Sequence, residues 1–136
     1  MADLKTSISI SAAGLRVQSQ RMKVIAENIA NADSLASTPG GSPYQRKTIH
    51  FKNEFDKALG ANTIRVARYG VDDSAFPIKH DPGHPAANEA GYVQHPNVNT
   101  MIEGLDMREA QRTYEANLSA IEVTKSMVSR TLDLLR

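Results

Sequence analysis

A chain of 136 residues and 14.8 kDa has room for one ordinary domain, yet only 40% of it is apolar and 5% aromatic, with no Trp, so the large side chains that anchor a small core are scarce. Sixteen basic against 15 acidic residues leave a formal charge of +1, which supplies no field to draw nucleic acid or an anionic membrane. The absence of Cys excludes disulfides, thiolate nucleophiles and Cys-ligated zinc, and the longest apolar run, Val24 to Ala26, is too short for a membrane helix or a Sec signal core.

All six Pro, all four His, six of eight Gly and six of seven aromatics fall between Asp33 and Asn99, which divides the chain into segments 1–32, 33–99 and 100–136. The first and last contain no Pro and one Gly each, and both read as long helices. In segment 1–32, Ile8, Leu15, Met22 and Ile29 recur every seven residues, with Leu4, Ser11, Gln18, Ile25 and Ala32 at the intervening inner positions. Asn28 and Asn31 share a face near its end; either they bond across a helix contact, or Asn31, Asp33 and Ser34 simply end the helix.

The middle segment carries two alternating stretches, Tyr44 to Phe51 and Thr63 to Tyr69, that read as half-buried strands. Between them Phe51, Phe55 and Leu59 are spaced by four before Gly60, which suits one or two helical turns. From Ala75 to Pro96 the density of Pro and Gly favours an irregular, extended path. In segment 100–136, Met107, Tyr114, Ile121, Val128 and Leu135 again recur every seven, flanked by Ala110, Leu118 and Leu132. Gly104 leaves the start of this helix open.

The resulting fold class is mainly α: long terminal helices whose heptad stripes pack as a coiled-coil-like pair, with a small β-containing, irregular insertion. An intramolecular hairpin is the simpler arrangement. Val17, Val24, Leu105 and Val123 lie off the stripes, however, and with so few large core residues they favour further contact with other copies.

Chemistry is poorly represented. His80 and His84 are four apart, but Pro82 and Gly83 between them break the helix that would converge two imidazoles on a metal. There is no G-x-S-x-G turn, Walker loop or G-x-G-x-x-G, so neither catalytic residues nor a cofactor are expected.

Residues 25–34, Ile-Ala-Glu-Asn-Ile-Ala-Asn-Ala-Asp-Ser, resemble the N-terminal motif of bacterial flagellar axial proteins, with Asn28, Asn31 and Asp33 as its polar positions. A second block is similar to that of the small rod subunits in this family: Asp81, Pro82 and Pro85, then Gly91 and Tyr92, then Pro96 and Asn97. Tyr114-Glu115-Ala116-Asn117 and Lys125-Ser126-Met127 extend the likeness over nearly the whole chain, with departures at residues 38–42 and 102–106. The resemblance implies a structural subunit of the basal-body rod that crosses the periplasm. It implies helical assembly, torque transmission, and terminal helices packed around the export channel. Ile8, Leu15, Met22, Ile25, Ile29, Met107, Tyr114, Ile121, Val128, Leu132 and Leu135 would then form helix and subunit interfaces. Partners would be other copies, proximal and distal rod proteins, the rod adaptor, and the flagellar type III export gate, through which the chain passes without a cleaved Sec signal. Phe51 and Phe55 have the Phe-x-x-x-hydrophobic form of a gate-recognition segment. Neither nucleic-acid binding nor membrane insertion is implied. The alternatives are another small rod subunit or adaptor, or a soluble coiled-coil binding module.

Overall fold

The computed structural model describes residues 2–136. Its elements are α1 (Ala2–Ala30), β1 (Lys47–Asp56), β2 (Ala61–Val71), β3 (Ile78–His80), β4 (Tyr92–Gln94) and α2 (Thr100–Leu134). Asn99 settles the start of α2: its side-chain oxygen accepts the N–H groups of Met101 and Ile102, and its carbonyl accepts that of Glu103. Gly104 therefore lies inside the helix.

The expected mainly α fold with a coiled-coil-like pair of heptad stripes is not what forms. Helix accounts for 47% of the chain, and 20% is strand in two small antiparallel sheets. The chain resolves into two compact units, one containing residues up to Met22 with His50–Arg68 and Arg108–Arg136, the other Lys23–Ile49 with Tyr69–Met107.

In the first unit the buried residues of α1 are Ala13, Gly14, Val17 and Gln18, and those of α2 are Ala110 and Thr124. These are small or polar side chains. The stripe residues Ile8, Leu15, Met22, Tyr114, Ile121 and Val128 are only half-buried, and Leu118, Leu132 and Leu135 are exposed. The helices run antiparallel, with Gly14 against Asn117 and Arg21 on Glu109 at 3.3 Å. Small residues let the two backbones approach, so the contact turns away from the larger stripe side chains. Polar groups of α2 are satisfied locally: Thr113, Asn117, Thr124 and Thr131 each donate to the carbonyl four residues earlier.

The β1–β2 strands are joined by only four residues, which requires a hairpin. The helical turns expected over Phe51 to Leu59 are instead strand to Asp56 and then a turn. Asp56 accepts the N–H groups of Ala58 and Leu59 on its carboxylate and that of Gly60 on its carbonyl, and Gly60 takes φ 65°. A spacing of four keeps Phe51 and Phe55 on one face of a strand as readily as on a helix. A cleft of about 650 Å³ lies between α1 and this hairpin, lined by Ser9, Arg16, Asp56, Leu59 and Arg65 among others.

In the second unit the segment expected to be irregular contains β3 and β4, paired antiparallel with Ile78 opposite Gln94 and His80 opposite Tyr92. Gly91 turns the chain into β4 at φ 83°, and a Cβ there would lie 3.0 Å from Pro82 and 3.1 Å from His80. Among the described residues no helix is long and apolar enough to cross a membrane.

Gly14 gives a direct check on the helix contact, because an added Cβ would lie 2.8 to 2.9 Å from the Asn117 amide. Gly14→Ala should lose the ~1 kcal/mol that Ala normally gains over Gly in a helix, and should recover it in an Asn117→Ala background. Thermal melts of the two single variants and the double variant measure this coupling; additive effects would mean that the two residues are not in contact.

Candidate functional site

The second unit is organised around polar side chains. Its largest fully buried residues are Glu103, Val93 and Asn28, and two of the three are polar. Asn28, on α1, uses all four of its hydrogen-bonding positions. Its amide nitrogen donates to the Lys47 carbonyl at 2.9 Å and to Glu103 Oε2 at 3.3 Å, while its oxygen accepts the Lys47 N–H at 2.9 Å and the Tyr44 hydroxyl at 2.8 Å. The double contact with Lys47 resembles one rung of a β ladder, with a side-chain amide replacing a second strand.

Glu103, on the first turn of α2, gives its other oxygen to the Arg46 guanidinium. Arg46 also faces Asp72 at 3.4 Å, donates its backbone N–H to Asn97 Oδ1 at 2.8 Å, and accepts the Asp72 N–H at 2.8 Å. Asn97 returns its amide to the carbonyls of Asp72 and Ser74. Burial works against the Arg46 charge, but Glu103, Asp72 and Asp106 outweigh it and hold the group above the usual guanidinium value. Hydrogen bonds from Ser74 and the nearby Arg46 hold Asp72 below the usual carboxylate range. Burial raises the Tyr44 hydroxyl, and Glu27, at 3.0 Å, raises the Lys47 ammonium.

The two sequence motifs therefore meet, Asn28 from the first and Asn97 from the second, with Arg46 and Lys47 between them. Asn31 has the other role considered for it: its amide and backbone N–H both bond the Glu27 carbonyl and close α1, while Asp33 is exposed in the turn that follows. Asp81, Pro82 and Pro85 are exposed, Gly91 and Pro96 are buried, and Tyr92 meets the His80 ring edge-on at 5.1 Å. Of the interface candidates in this unit, Ile25 is buried, Met107 half-buried and Ile29 exposed. Phe51 is half-buried and Phe55 is 58% exposed.

Sequence reasoning missed Arg46, Asp72, Tyr44 and Glu103. Glu103 had a signal: it lies four residues before Met107 and seven before Ala110, so it is a charge on the inner side of α2. His84 Nδ1 accepts the Ala86 N–H, and among the described residues no three His, Asp or Glu side chains gather as a metal site.

Asn28→Ala should destabilise the second unit by about 2 to 4 kcal/mol, since it orphans a buried carboxylate oxygen and two backbone groups. Asn28→Asp should cost more at neutral pH, where two carboxylates face each other, and its deficit should shrink as pH falls and one becomes protonated. Denaturant melts at two pH values test both; a pH-independent deficit would remove Glu103 from the argument.

The comparisons with known proteins agree with these motifs. A family described as flagella basal body rod protein matches residues 8–34, and one described as flagellar basal body rod FlgEFG protein C-terminal matches residues 89–134. The flagellar basal-body rod protein FlgC of Agrobacterium fabrum is 47% identical over 136 residues, all of this chain and 98% of its own length. The proteins of the same name from Borreliella burgdorferi and Bacillus subtilis are 38% and 35% identical, covering 98% and 94% of this chain and 98% and 95% of their own. The chain belongs to the FlgC family of flagellar basal-body rod proteins and is a structural subunit of the rod.

Proposed function

We propose that many copies of this chain stack helically as the proximal part of the rod, with the terminal helices forming an inner layer around the export channel and residues 33–99 lying outside it. In this reading the subunit transmits torque across the periplasm and has no catalytic role. The carrying observation is the apolar surface left exposed along α2 and just beyond its end in the first unit: Leu118, Val123, Met127, Leu132, Leu134 and Leu135 are all exposed. Burying a fully exposed side chain of this kind contributes about 1.5 to 3 kcal/mol, and roughly half of that where the side chain is already half covered.

The partners of this reading are other copies, neighbouring proximal and distal rod proteins, and the rod adaptor. Before assembly the chain passes unfolded through the flagellar type III export gate, without a cleaved Sec signal. Phe51 and Phe55 are the segment the gate recognises. The 58% exposure of Phe55 supports this, because a ring left in water by the subunit's own fold has no competing duty there.

Ile121→Asp, which sets a carboxylate on a half-buried position of α2 that assembly would cover, should cost at least ~3 kcal/mol in the assembled state and leave cells non-motile with export intact. Normal swimming would remove Ile121 from the interface. Replacing Phe51 and Phe55 together by Ala should lower subunit secretion at an unchanged intracellular level in a strain whose rod cannot grow. Unchanged secretion with failed assembly would assign both rings to packing.

A further inference from the structure

We propose that the cleft between α1 and the β1–β2 hairpin receives residues 133–136 of a second copy of this chain, with Asp133 on Arg65, Arg136 on Asp56, and the two leucines between them against the apolar lining. The inference rests on the rod-subunit reading above and supplies one contact for it. The cleft residues and the end of α2 all belong to the first unit. The apolar lining comes from Ala13 and Val17 on α1 and from Leu59 and Val66 on the hairpin. Cations stand on both walls, Arg16 on the helix and Arg65 on β2, with Asp56 at the turn. Both arginines are exposed, and among the described residues neither has an ion-pair or hydrogen-bond partner. Asp56 engages one carboxylate oxygen, Oδ1, with its own turn and leaves the other for a cation. At about 650 Å³ the cleft lies within the ~300 to 1,000 Å³ of sites that hold a drug-sized ligand, which is room for a short peptide but not for a helix.

Such a cleft selects apolar side chains set between an anion and a cation. Among the described residues two adjacent pairs of large apolar side chains are exposed, Met101 with Ile102 and Leu134 with Leu135. Thr100 and Glu103 flank the first pair, and Glu103 is already held by Arg46 and Asn28. Asp133 and Arg136 flank the second; both are exposed, and neither has a partner within the described chain. Leu134 and Leu135, 87% and 79% exposed, are also the least covered large apolar residues described. Residues 129–136 are all exposed, so the last turns of α2 gain nothing from packing and open into extended chain at little cost. Asp56 ends β1 and Arg65 is the fifth residue of β2, which sets the two charges ~13 Å apart along the hairpin. Three residue steps from Asp133 to Arg136 span ~10 Å when extended, and the arginine side chain makes up the rest.

The segment comes from a different copy because the chain's own is directed away from the cleft. Gly14 against Asn117 and Arg21 on Glu109 set the register of the antiparallel helices, in which Leu134 has run past the start of α1. It stands roughly 15 Å along the axis from Ser9, the nearest cleft residue of α1, and farther from Arg16. A contact between two different surfaces leaves one of each free, so it extends a stack rather than closing on itself. The leucines supply the gain, while the exposed ion pairs contribute little individually and fix which way the segment lies.

The photoreactive residue p-benzoylphenylalanine, placed at Ala58 on the rim of the cleft and irradiated in purified basal bodies, should give multimers of this chain linked to the tryptic peptide Thr131–Arg136. The same probe at Gln20, on the α1 wall, should give the same link, and at Ala67, on β2 but outside the cleft, none. A link to that peptide within one chain, a link to another segment or to a different protein, or no link while the subunit is in the basal body would each overturn the contact. Absence of the unmodified subunit from basal bodies would instead defeat the rod reading itself, and the contact with it. Asp133→Arg should lower the yield from the Ala58 probe roughly tenfold at about 0.15 M salt, and adding Arg65→Glu should restore most of it. Failure of the second change to restore the link, with the subunit still in the basal body, would also refute the proposal.

Discussion

The second unit depends on one amide. Asn28 is the point at which the end of α1, the start of β1 and the first turn of α2 share hydrogen bonds, and every donor and acceptor on its side chain is used there. An apolar residue of similar size could fill the volume but could not pair the Lys47 backbone or the Glu103 carboxylate. Buried polar clusters of this kind contribute directional constraint more than net stability. Pairing Asn28, Glu103 and Arg46 together restricts how the segments of the second unit can be arranged.

The first unit works on a different basis. Its helix contact is built from Ala13, Gly14, Val17, Ala110 and Thr124, so it gains close approach but buries little area. The larger apolar side chains face outward or sit at the edges. One chain thus combines a unit specified by its own hydrogen bonds with a unit many of whose apolar side chains stay exposed.

The sequence made some features plain and concealed others for identifiable reasons. Both helices were legible because Pro and Gly are concentrated between them, and the two strand regions because Ile and Val alternate with polar residues. The seam was misplaced because heptad reading weights Leu, Ile and Met, whereas the buried positions are occupied by Gly, Ala, Gln and Thr. The stretch Phe51 to Leu59 suits helical turns in sequence because Phe51 and Phe55, four apart, share a face in either conformation. Asn28 and Asn97 are visible as motif residues, but the partners of Asn97, Arg46 and Asp72, look like ordinary surface charges in sequence. Only the fold shows that these residues, 26 positions apart, meet.

The four side chains of α2 that bond back to their own helix, Thr113, Asn117, Thr124 and Thr131, make its polarity private. A hydroxyl already satisfied by the carbonyl one turn below loses little when water leaves, whether or not the arriving surface offers a partner. To an approaching chain these positions act as small methyl- and methylene-bearing bumps. At these positions the helix can exchange water for protein with little loss of hydrogen bonding. That indifference suits a subunit that assembles with other components of the rod.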